Sequence, residues 1–137
     1  MEKTLILYPA IGMMILTLFV YVKNYFNFVR AKKSNAIKFS YFKTYQGEVP
    51  DYVDVSRQTL KNQFELPIFF YFLISIILVF DKVSQLDLVL AWIFVASRYL
   101  HCYIRLSSNY VPYRAKAFKL GMLALIVWWI IFLYNIL

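Results

Sequence analysis

Glu65 stands at the start of a long apolar stretch, with Asn62 three residues before it, a helical spacing that puts amide and carboxylate on one face. In another apolar stretch Arg98, His101 and Arg105 follow a three-then-four spacing, again one face. Ionisable groups inside a bilayer cost about 2.5–3.5 kcal/mol each on insertion scales, so their presence there is a functional signal by default. An excess of guanidinium over carboxylate suits a polyanionic ligand, because arginine forks grip carboxylates in a bidentate manner. One acid among them suits a ligand that also carries an amine. A small peptide with two carboxylates and one ammonium meets both demands, and a basic group beside its thiol would raise the thiolate fraction.

The elements that must position these groups follow from composition. The chain has 137 residues, one domain by length, and 62% of them are hydrophobic, more than a soluble domain of this size can hide. Four apolar stretches stand out, at residues 4–22, 64–80, 86–104 and 117–137. Each approaches the ~20 residues a helix needs to cross a bilayer, and a helix satisfies its own backbone there. The expectation is an all-α membrane protein, a four-transmembrane-helix up-down bundle. The first stretch is read as a retained span: its apolar run exceeds a signal-peptide core, and no small-x-small cleavage site follows.

Two short links, Asp81-Lys82-Val83-Ser84-Gln85 and Ser107 to Pro112, predict antiparallel hairpins, with Ser84 a cap for the third span. The connection between spans one and two is longer, with alternating basic and aromatic residues at 37–45 and a Gly47–Pro50 loop. A helix starting near Asp54 or Val55 is expected to run unbroken through Asn62 into span two, kinked by Pro67. Ala117 and Gly121, four apart, fit close helix contact.

The formal charge is +8. Lys23, Arg30, Lys32, Lys33, Lys38, Lys43, Arg57 and Lys61 lie between spans one and two, and Arg105, Arg114, Lys116 and Lys119 between spans three and four or just inside the fourth. Only Lys3 and Lys82 fall on the opposite side. That bias predicts cytoplasmic connections with both termini outside, and accounts for the charge without a nucleic-acid partner. Cys102, the single cysteine, excludes an intrachain disulfide and a multi-cysteine metal site, and reads as a small buried filler.

With this topology Asn62 and Glu65 fall in the first turns of span two. Arg98 falls roughly 9 Å inside the end of span three, at 1.5 Å per residue. An ion pair between Glu65 and Arg98, or a ligand bridging them, would relieve both desolvation costs. Arg114 enters span four at the same level, completing a polar crescent. Blander readings stand beside this one: a register-fixing Glu65–Arg98 pair, a hydrogen-bonded structural His101, and arginines and lysines that set orientation and snorkel to the interface.

The residues also resemble a known family, the membrane-associated proteins in eicosanoid and glutathione metabolism (MAPEG). The likeness rests on Arg30-Ala31-Lys32-Lys33, Lys61-Asn62-x-x-Glu65-x-Pro67, Arg98-x-x-His101 and Pro112-x-Arg114-x-x-x-Phe118, and covers most of the chain. The resemblance implies a homotrimer with glutathione as co-substrate between subunits on the cytoplasmic side. Arg30, Lys61, Asn62, Glu65, Arg98, His101 and Arg105 would then form the glutathione pocket, Glu65 receiving the amino group, and Arg114 would be the catalytic residue that stabilises the thiolate. Lys61 stands where related members often carry arginine. Arg105 and Phe118 depart from tyrosines found in some members. Short loops are similar to those of the bacterial branch, which would place the chain in a bacterial inner membrane.

The implied activity is a glutathione-dependent transferase or peroxidase acting on lipophilic electrophiles or lipid peroxides that arrive with membrane lipid. A non-catalytic lipid- or glutathione-binding protein of the same fold is the alternative. A proton-coupled exporter built on Glu65 ranks below both, since the acid lies near one interface beside an arginine.

Overall fold

The computed structural model describes residues 3–137, and among them every regular element is helical. A 3₁₀ turn at Lys3–Ile6 leads into α1 (Leu7–Lys33). A one-turn helix α2 (Tyr41–Thr44) interrupts the long connection, followed by α3 (Asp51–Asn62), α4 (Leu66–Val79), α5 (Gln85–Leu106) and α6 (Val111–Ile136). Four helical rods are long and apolar enough to cross a membrane: Lys3–Lys33, Asp51–Val79, Gln85–Leu106 and Val111–Ile136. Each contains one of the four expected stretches nearly whole. The rods extend further at the basic end, because α1 at 27 residues is about 40 Å long and outruns ~30 Å of hydrocarbon.

Inside the bundle Phe70 of α4 stacks on Phe94 of α5 with centroids 4.7 Å apart, and Trp128 of α6 meets Phe70 edge-on at 6.0 Å. Met13, Leu16 and Val20 of α1 close this core from the other side. The remaining large apolar side chains, such as Ile15, Phe19, Phe69 and Ile130, are exposed around the perimeter, as lipid contact requires.

The closest helix packing is between α5 and α6. A Cβ added to Gly121 would lie 2.2 Å from Ser97 Oγ and 3.3 Å from Ser97 Cβ, so any larger residue here would force Ser97 to shift. Ala117, one turn earlier, is also buried, as the four-residue spacing predicted.

Two hairpin turns behave as expected. Ser84 caps α5 in a reciprocal box with Asp87. Asp87 also accepts from Trp128 Nε1 at 2.6 Å, a buried contact between α5 and α6 that the sequence reading overlooked. At the same end Lys3 pairs with Asp81, and Lys82 Nζ donates to the Asn135 carbonyl at 2.9 Å, tying both chain ends to the α4–α5 turn.

At the basic end α1 ends at Lys33, and Asn35 adopts a left-handed φ of 54° that turns the chain back. Ala31, Ile37, Tyr41 and Val53 form a second small core there. Ser56 Oγ donates to Asn24 Oδ1 and Asn27 Nδ2 to the Tyr52 carbonyl, both at 3.1 Å, pinning α3 along α1.

One expectation needs correction. The helix before span two starts at Asp51, not near Asp54, and it does not run on through Pro67 with a kink. It stops at Asn62 and restarts at Leu66. Proline lacks an N–H donor and is tolerated in a first helical turn, so the chain places Pro67 in a new first turn and avoids leaving a mid-helix carbonyl unpaired.

Gly121→Leu is expected to lower the stability of the detergent-solubilised protein by about 1–3 kcal/mol, through overpacking against Ser97. Ser97→Gly in the same chain should recover part of the loss, as read by thermal unfolding.

Candidate functional site

The interruption between α3 and α4 builds the polar cluster. Turn bonds from Gln63 N to Leu60 O and Phe64 N to Lys61 O, each 3.0 Å, finish α3. Glu65, with φ −91° and ψ −88°, then redirects the chain into α4. The last carbonyls of a helix have no intrahelical partner. The Asn62 carbonyl takes one from outside: Arg98 Nη2 donates to it at 3.0 Å.

Arg98, His101 and Arg105 share one face of α5, and all three are buried, Arg98 completely at 0% exposure. Arg98 lies over the Phe118 ring of α6, its Cζ 5.6 Å from the centroid, within cation–π range. The His101 ring lies 5.6 Å from the same ring. His101 Nδ1 is 3.1 Å from the Arg114 carbonyl. A carbonyl can only accept, so Nδ1 carries the hydrogen and Nε2 presents its lone pair.

Arg105 is held twice. Its Nη2 donates to Gln58 Oε1 at 2.6 Å. With the Asn62 amide turned to satisfy both neighbours, Asn62 Oδ1 accepts from Arg105 Nη1 at 3.1 Å and Nδ2 donates to Glu65 Oε2 at 2.8 Å. Asn62 is thus the bridge between the acid of span two and the arginines of span three.

Glu65 and Arg98 do not form the expected ion pair. Among the described residues the only salt bridges are Lys3–Asp81 and Arg57–Asp54. The backbone turn at Glu65 leaves the carboxylate exposed and brings the Asn62 carbonyl to Arg98 in its place. Glu65 remains close enough to Arg98 and Arg105 for coulombic attraction, while Arg114 repels Arg105.

Arg114 lies in the first turn of α6, half-buried, and its Nη1 donates to Asn109 Oδ1 in the α5–α6 turn at 2.6 Å. Arg30 is not brought to the cluster within one chain. It lies over Tyr52, 4.8 Å from the ring, at the far end of α3 and about 15 Å along that helix from Asn62. Lys61 is exposed on a neighbouring face. Five clefts of about 460–620 Å³ are lined by residues other than Glu65, Arg98, His101, Arg105 and Arg114, which in a single chain pack into a cluster with Glu65 at its exposed edge.

Several groups are left with capacity. Arg98 Nε and Nη1, Arg105 Nε, His101 Nε2 and Gln63 Oε1 are buried without a protein partner. Gln58 and Gln63 were missed by the sequence reading. Gln58 stands four residues before Asn62, and that spacing alone could have placed it on the same face. Gln63 Nε2 donates to Cys102 Sγ at 3.0 Å, so the thiol is a specific contact and more than filler.

Compared with models of known families, residues 6–134 match the MAPEG family. No curated protein and no solved structure gives a significant match.

Because Arg98 has two buried donor groups without partners, removing its charge should relieve desolvation. Arg98→Met is expected to hold the unfolding free energy of the ligand-free protein within about 1 kcal/mol of the parent, or raise it. A loss of about 3 kcal/mol or more in thermal unfolding would mark Arg98 as a structural tie.

Proposed function

Since the chain belongs to the MAPEG family and is an integral membrane protein by its four apolar rods, we propose that it is a glutathione-dependent transferase or peroxidase for lipophilic substrates. The observation that carries this reading is a set of unpartnered guanidinium donors gathered around one exposed carboxylate. That donor set fits a tripeptide with two carboxylates, one ammonium and one thiol. Glu65 would take the ammonium. Arg98 and Arg105, with Asn62 between them, would take carboxylates, for which a planar fork is suited.

Glutathione, when bound, supplies a thiol whose thiolate is the nucleophile or reductant. The chain's part is to hold and charge-balance it. Arg114, anchored by Asn109, is the remaining guanidinium at this level and is assigned to stabilising negative charge on sulfur. His101 keeps an unpartnered Nε2 lone pair, fixed in that tautomer by the Arg114 carbonyl.

Arg30 and Lys61 lie away from the cluster in a single chain. In this reading they contribute across a subunit boundary in a homotrimer, with the basic end of the bundle in the cytoplasm of a bacterial cell. Lipophilic co-substrate reaches the site from surrounding membrane lipid.

A second reading has its own support. Arg105 is already engaged by Gln58 and Asn62, and Phe118 offers a ring and no hydroxyl to a ligand. Both features favour a protein that binds glutathione or a lipid without turnover.

The two readings separate in one pair of measurements on detergent-solubilised protein. An active transferase is expected to conjugate glutathione to an aryl halide. Arg114→Ala should then reduce turnover by roughly 10²-fold, the scale seen for loss of a preorganised charge-stabilising donor, with calorimetric glutathione affinity nearly unchanged. Glutathione binding without conjugation or peroxide reduction by the parent protein would establish the second reading. Absence of glutathione binding would overturn the first reading and leave the second with a lipid as its ligand.

A further inference from the structure

Residues 23–47 carry six basic side chains, Lys23, Arg30, Lys32, Lys33, Lys38 and Lys43, and no acid. Arg30 is occupied over Tyr52. The four lysines from 32 to 43 enter no salt bridge among the described residues. Aromatic residues are interleaved with them, and several face outward: Phe39 is 76% exposed and Tyr25 63%.

Of the lysines, Lys32 lines a cleft of about 510 Å³ between the last turns of α1 and the α2 segment, together with Tyr21, Asn24, Phe28, Phe42 and Tyr45 among others, and Lys38 immediately precedes Phe39 of the same lining. Lys32 Nζ stands over the Phe39 ring at 5.5 Å from its centroid. At its Tyr21 side the cleft continues onto the exposed apolar flank of α1 that carries Met14, Leu18 and Val22. Its Lys32 side lies at the last turn of α1, among the basic residues of that end.

We infer that this cleft binds one anionic glycerophospholipid, with its phosphate headgroup at Lys32 and Lys38 and its acyl chains running down α1 past Tyr25 and Tyr21. The charge selects the ligand's sign, because no carboxylate within residues 23–47 competes for the lysines. The aromatic and apolar lining selects an amphiphile over a soluble anion, since tyrosine rings sit favourably at headgroup depth. A second copy of the same basic face would be repelled. Single-stranded nucleic acid also pairs with basic and aromatic residues, but the cleft runs into a membrane-facing flank that a polyanion would avoid.

The site is separate from the Asn62 cluster, so its test does not depend on glutathione chemistry. Full-length protein is stripped of lipid in detergent and titrated with phosphatidylglycerol or with phosphatidylcholine of identical chains, reading bound lipid by native mass spectrometry and unfolding temperature. Phosphatidylglycerol is expected to bind on the order of tenfold more tightly, each lysine near a headgroup being worth roughly fivefold. Lys32→Gln with Lys38→Gln should erase most of that preference, Lys32→Arg should keep it, and Lys82→Gln at the opposite end should leave it unchanged. Equal binding of the two lipids would overturn the assignment. So would an equal effect of Lys82→Gln, a full response to glycerol phosphate lacking acyl chains, or displacement of lipid by single-stranded RNA.

Discussion

A guanidinium with no solvent exposure inside an apolar bundle dictates much of what surrounds it. Taking such a charge out of water costs several kcal/mol, and a single hydrogen bond does not offset that. Arg98 gets a backbone carbonyl, an aromatic face and the field of a nearby carboxylate. The carbonyl is accessible because α3 ends at Asn62, and α3 can end there because Pro67 is accommodated in a new first turn. The helix interruption therefore supplies an acceptor that the buried arginine takes.

The bundle keeps this arrangement at one end by fixing the other elements firmly. Gly121 lets α6 approach α5 until Ser97 is in contact, and that closeness sets Phe118 beneath Arg98 and His101. At the opposite end Asp87 joins Ser84 to Trp128, a satisfied buried acid with a capping role. The two buried polar groupings differ in kind. The Asp87 carboxylate is fully engaged, whereas Arg98 and Arg105 keep donors unpartnered. Satisfied groups specify packing, and unsatisfied ones are the natural place for a ligand.

Much of this was legible in the residues. Span number, the two hairpins, the Ser84 cap, the shared face of Arg98, His101 and Arg105, and the Ala117–Gly121 contact all follow from local periodicity and turn chemistry. The Glu65–Arg98 pair was misjudged because sequence spacing treats the stretch through Asn62 and Glu65 as one continuous helix, kinked only at Pro67, and a break of three residues swings the carboxylate outward. Asp87 escaped notice because its partner Trp128 is 41 residues away, beyond any local spacing rule. Arg30 shares the family resemblance with the cluster but not its location, since it lies over Tyr52 at the far end of α3.

The residues alone determined that four rods cross a bilayer, which ends are basic, and which α5 face is polar, because hydrophobic length and helical period are properties of a single segment. The tertiary structure decided which polar atoms meet. Arg98 finds a carbonyl and Arg105 an amide only after the break at 63–65, the approach at Gly121 and the antiparallel packing of α3 beside α5 are all in place. Those contacts depend on distances between segments, which no one-dimensional pattern contains.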